Sequence, residues 1–195
     1  NTNLLILFFI LCTFAVFISP AFLDFNNIQN IIRTVMVLGI IAFGLTMVMI
    51  VGEIDLSVGS IAAFSCAFGG MFVDSNSSFL VIMLTLFAGT FCGFLNGLGV
   101  TFFKVPSLVM TLGTMAIIRN AGYIMTNGQA AYPTKLDLYM ASAKGYIGNI
   151  PIPVIIFILL SIIFTIIVRY STVGKSLYVV GANNVASLLS GIQNN

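Results

Sequence analysis

The chain has 195 residues, 59% of them hydrophobic and only 6% charged, with a formal net charge of +2 and a mean hydropathy of +1.15. Soluble domains carry roughly 25% charged residues, so this composition excludes a water-soluble fold and points to an integral membrane protein. The small, dispersed positive charge excludes a nucleic-acid partner, and the lack of histidine excludes a His-based metal site or proton relay.

The first apolar run, 4–18, has no A-x-A cleavage site and reads as a transmembrane helix stopped by Pro20. In the next stretch, 21–34, Phe22, Phe25, Ile28, Ile31 and Ile32 recur at helical spacing among Asn, Gln and Arg33. That pattern predicts a segment lying along the membrane interface. Two apolar runs follow, 35–50 and 61–73, each near the ~20 residues that a span needs.

Between them lies VGEIDLSVGS, 51–60, the stretch that organises the rest. An acidic residue at mid-membrane costs about 2.5 to 3.5 kcal/mol, so Glu53 and Asp55 must reach an interface, line a wet cavity or find protein partners. Gly52 and Gly59 bracket the pair and permit non-helical backbone; Gly-interrupted apolar segments of this kind mark transport sites in membrane proteins. The plainer reading is a turn in which Asp55 caps the third span. The two readings are compatible.

The polar turn DSNSS, 74–78, leads into a long apolar run, 79–103, where Gly89, Gly93 and Gly97 recur every four residues. Such a stripe predicts close helix approach. Asn96 beside it is either interhelical glue or pathway lining. After Lys104 and Pro106, the run 108–125 contains Thr111 and Thr114, and Arg119 near its end either snorkels outward or faces the bundle interior. Residues 127–150 form the sizeable polar loop, with room for a short amphipathic helix. The run 152–168 is a further span, and the tail beyond it is too polar to cross.

Roughly six spans result, an all-α polytopic bundle forming a single transmembrane domain over 1–195. Cys12, Cys66 and Cys92 sit inside apolar runs without metal-ligand spacing and read as small buried packing residues. Placing Lys104, Arg169 and Lys175 on the cytoplasmic side leaves the 127–150 loop outside. No nucleophile–base pair, metal ligand set or phosphate-binding loop stands out, so the chain is expected to be a carrier component rather than an enzyme.

The motifs IDLSVGS at 54–60, KVPSLVMTLGTMAIIR at 104–119, TNGQ at 126–129 and TVGKSLYVVGAN with LSGI over 172–192 together resemble the permease subunits of ribose-type bacterial ABC importers. The resemblance runs over nearly the whole chain. It implies that the chain is the first part of a permease of about ten helices on the plan of the cobalamin-type importers, in the bacterial plasma (inner) membrane. It also implies a second permease copy or paralogue, two ATP-binding subunits that carry the ATP, an external substrate-binding protein, and a small sugar or related solute as cargo. No cofactor is expected on this chain itself.

On that resemblance, residues 183–192 form the cytoplasmic coupling helix, and the ATPase-coupling set is Gly174, Lys175, Asn183, Val185, Leu188, Leu189 and Gly191. The translocation path or gate is expected at Glu53, Asp55, Ser57, Asn96, Thr111 and Thr114. Glu53 stands where family members commonly have glycine, and Val185 and Leu188 where they have an acid and a base. The competing reading is an ion-coupled secondary transporter that binds H+ or Na+ at Glu53 and Asp55.

Overall fold

A computed structural model describes residues 2–72, 77–129 and 138–182. The described residues form eight α-helices: α1 (Thr2–Ile18), α2 (Phe25–Ile50), α3 (Val58–Gly70), α4 (Ser78–Thr101), α5 (Ser107–Met125), α6 (Leu138–Lys144), α7 (Ile152–Tyr170) and α8 (Thr172–Ala182). A two-stranded antiparallel hairpin, β1 (Tyr146–Ile147) with β2 (Ile150–Pro151), joins α6 to α7.

Four of the six expected spans, α2, α4, α5 and α7, are long and apolar enough to cross a membrane. The other two are shorter. α1 has 17 residues and α3 has 13, and at 1.5 Å per residue α3 rises only about 20 Å. The separate interfacial segment expected at 21–34 does not form. The Asp24 carboxylate accepts the Asn26 N–H at 2.9 Å and starts α2 there, and no Pro follows to stop it, so one 26-residue helix absorbs the amphipathic stretch and the second span together.

The helix ends follow local chemistry. Ser77 Oγ accepts the Leu80 N–H at the start of α4, Pro106 and Pro151 precede α5 and α7, and Pro153 sits in the first turn of α7, where a missing N–H costs nothing. At the end of α2 the Glu53 N–H bonds Val48 O and the Gly52 N–H bonds Met49 O, with Gly52 left-handed at φ 83°. This is a Schellman closure. TNGQ closes α5 in the same way: Asn127 is left-handed, its N–H reaches Ile124 O, and the Gly128 N–H reaches Tyr123 O.

The start of α2 meets the hairpin, because the Tyr146 hydroxyl donates to Gln29 Oε1 and Arg33 lies 4.4 Å over the Tyr146 ring. The far end of α2 meets α8, where Gly181 abuts the carbonyl of Ile50. The bundle therefore has a hairpin end and a tail end. α3 packs chiefly against α4 and α5, and α2 against α7. In the second pair a Cβ on Gly39 would lie 2.5 Å from the Phe157 ring, and Phe43 stacks on Phe157 and Phe164.

The glycine stripe of α4 differs from expectation. Its buried face is Val81, Ala88, Cys92, Asn96 and Gly99, one position round the helix from the stripe. Of the three glycines only Gly89 is closely approached, by Ser65 Oγ, while Gly93 and Gly97 face open space. A polar hydrogen-bonding partner at Ser57 and Thr114 turns the Asn96 side inward and rotates the stripe away.

Candidate functional site

The stretch after Gly52 leaves the end of α2 and runs beside the first turns of α5. The Ile54 N–H points at Ser107 Oγ and its carbonyl at Thr111 Oγ1, each at 3.4 Å, while Thr111 donates at 2.8 Å to Ser107 O. Asp55 then folds back on its own chain. One of its carboxylate oxygens accepts both the Ser57 N–H, at 2.7 Å, and the Ser57 hydroxyl, at 2.6 Å.

This corrects the capping reading. The N-cap of α3 is Ser57, without a side-chain cap bond, and Asp55 lies two residues ahead of it in an Asx turn. The carboxylate thus organises the approach to the helix rather than its free first-turn N–H groups.

From Ser57 the polar contacts continue across the bundle. Asn96 Nδ2 donates at 2.8 Å to Ser57 Oγ, and Thr114 donates at 2.6 Å to Asn96 Oδ1. Every hydroxyl and amide points the same way, so the series Thr114, Asn96, Ser57 ends on the one carboxylate that can accept without donating. Ser57 is fully buried, with Asn96 and Thr111 nearly so. Asn96 lies five residues before the end of α4, about 8 Å inside it. The network therefore sits within the bundle near its tail end and ties α3, α4 and α5 together.

Of the six residues expected on a path or gate, the structure joins Asp55, Ser57, Asn96 and Thr114 in one chain and sets Thr111 beside it; Glu53 is exposed and outside it. In the coupling set, Gly174 is buried in the α7–α8 bend against the carbonyls of Ile167 and Val168, with its N–H donated to Ser171 Oγ at 3.1 Å. Lys175 is exposed on α8. Asn183, Val185, Leu188, Leu189 and Gly191, and with them the helix expected at 183–192, lie outside the described residues.

Two residues that the sequence reading did not place in the site lie along an open groove of about 660 Å³ between α3, α5 and α6. The groove runs from Gly59 and Ser60, next to the network, to Gln129, Met140 and Lys144 at the hairpin end. Arg119 lies on its α5 wall with Tyr123, and Phe64 lines the α3 wall. Ser60 is 6% exposed, and its hydroxyl has no hydrogen-bond partner among the described residues. Ser60 belongs to the IDLSVGS motif, and Arg119 was visible as a cation in an apolar run. Neither could be assigned a facing surface before α3 and α5 were placed side by side.

Among the described residues no group of three or more His, Cys, Asp or Glu side chains could hold a metal ion. The arrangement is that of a multi-pass membrane protein whose polar interior lies between helices at the break between α2 and α3, with an open groove beside it.

The chain belongs to the family described as branched-chain amino acid transport system / permease component, which matches residues 27–195. It is 36% identical over 185 residues to the ribose import permease protein RbsC of Haemophilus influenzae, covering 91% of this chain and 56% of that protein. It is 35% identical over 187 residues to RbsC of Bacillus subtilis, covering 95% and 58%. To the L-arabinose ABC transporter permease protein AraH of Azospirillum brasilense it is 31% identical over 174 residues, covering 89% and 51%. The chain spans about half the length of the curated relatives it matches. No solved structure matches it significantly.

Proposed function

We propose that this chain is a membrane-spanning permease subunit of an ATP-driven importer for a small sugar or related solute. The observation that carries this reading is the family match over 27–195, joined to relatives named as ribose and L-arabinose permeases. In this reading the hairpin end is external and receives solute from a binding protein. The tail end is cytoplasmic and meets two ATP-binding subunits through α8 and residues 183–192, and ATP is hydrolysed there, not on this chain. A second permease copy or paralogue pairs with it, and the described body is the first part of a permease of about ten helices. The α3–α5 groove forms one wall of the solute path, and the Asp55–Ser57–Asn96–Thr114 series closes its inner end.

A physical argument supports that placement of the path. Arg119 makes no ion pair or hydrogen bond among the described residues and lies six residues before the end of a 19-residue span. An uncompensated guanidinium is costly in hydrocarbon, so its side of α5 is suited to water or another polar surface. Movement between inward- and outward-open forms would be driven by the partner subunits, which asks of this chain two packings of the same helices rather than energy-converting chemistry.

The test is uptake by vesicles holding the permease with its ATP-binding subunits and binding protein, with D-ribose as probe. ATP-dependent uptake that persists with a protonophore and stops without the ATP-binding subunits is expected. Collapse of uptake with the protonophore at constant ATP would overturn the reading in favour of an ion-coupled carrier at Glu53 and Asp55.

A further inference from the structure

We infer that Arg119 makes the α3–α5 groove a charge filter, one that bars cations while presenting donors to the oxygens of neutral or anionic solutes. This rests on the reading of the groove as a wall of the solute path. The described lining includes two cations, Arg119 on the α5 wall and Lys144 at the hairpin end, and no carboxylate. The Asp55 carboxylate, four residues before Gly59 in the chain, is already occupied by the Ser57 N–H and hydroxyl.

The remaining polar groups also favour donation to a solute. Arg119 offers a fork of N–H groups and no acceptor, and the Lys144 ammonium adds further donors at the hairpin end. Thr126 already donates to Gly122 O and contributes little more. Phe64 and Tyr123 supply apolar faces beside these donors.

An importer of uncharged solutes faces a physical difficulty that such an arrangement meets. A polar path wide enough for a small sugar is wide enough for Na+, K+ or hydronium, whose leak would run down the membrane gradients. A fixed cation in the wall raises a barrier to these ions and leaves a neutral solute unaffected, as positive charges do in other selective pores. At an effective dielectric near 20, a like charge within about 10 Å is disfavoured by roughly tenfold.

The experiment places one reporter thiol on the exposed α3 wall of the groove, Ala63→Cys, in full-length permease with Cys12, Cys66 and Cys92 replaced by Ala, reconstituted with its partner subunits. Three methanethiosulfonates are applied from the hairpin side: two charged reagents of similar size, an anionic sulfonatoethyl and a cationic trimethylammonioethyl, and a smaller neutral methyl reagent. The expected result is reaction with the neutral reagent and a rate preference for the anionic over the cationic one. That preference should fall by about tenfold or more in Arg119→Gln and in Arg119→Met, and be retained in Arg119→Lys. An unchanged neutral-reagent rate shows that the groove is intact in each variant. Reaction with all three reagents, with an anion-to-cation ratio indifferent to Arg119, overturns the filter and leaves the groove as a wet path. No reaction with any reagent at position 63 overturns the path reading itself.

Discussion

Asp55 shows how a single side chain can be read correctly for type and wrongly for job. A carboxylate two residues ahead of a buried serine binds that serine's N–H and O–H together, and Asn can do nearly the same through its own Oδ1. Asp55→Asn is therefore expected to keep thermal stability in detergent close to that of the parent. Asp55→Ala orphans the N–H of fully buried Ser57 and should cost about 1 to 3 kcal/mol. Equal losses for the two variants would show that charge, not geometry, holds the turn. Asn96 invites a second measurement. Asn96→Leu leaves Thr114 without its acceptor and Ser57 Oγ without its donor, so a loss of about 1 to 3 kcal/mol is expected, whereas Glu53→Gly, on an exposed side chain outside the network, should unfold at the parent temperature.

Element boundaries were legible wherever a punctuating residue stood. Pro20, Gly52, Pro106 and Asn127 mark ends or starts in the structure, whereas Asp24, inside the 21–34 stretch, starts α2 unannounced. The stretch 21–34 was misread because an amphipathic pattern looks the same in a free interfacial helix and in the first turns of a longer one. What distinguishes them is the partner, here Tyr146 and Asn149 against Gln29. The α4 stripe failed for a related reason. Spacing gives a periodicity but not the direction in which it faces, and the bonds of Asn96 decided that direction. Two glycines of similar appearance are thus expected to behave oppositely in thermal unfolding. Gly39→Leu must displace the Phe157 ring and should destabilise the α2–α7 pair by about 1 to 3 kcal/mol, while Gly93→Ala, with open space around it, should be neutral or stabilise by up to about 1 kcal/mol.

For the molecule as a whole, the alternation of helices sends the hairpin and the α7–α8 bend to opposite ends. Single cysteines at Ser142, in α6, and at Ser176, in α8, should accordingly label from opposite sides of the membrane, and labelling from one side would refute a membrane crossing by α7. The class of protein was written in composition and period, because burial in lipid demands long apolar runs and those are properties of sequence alone. So were the polar outliers, since each Asp, Asn or Thr in an apolar run is costly wherever it ends up. Which outliers meet could not be read in this way. Ser57, Asn96 and Thr114 are 39 and 18 residues apart along the chain and become neighbours only when α3, α4 and α5 pack. The groove with Arg119 on its wall and the unspent hydroxyl of Ser60 on its floor arises from the same packing, because a cavity is the space between helices and no one segment carries it.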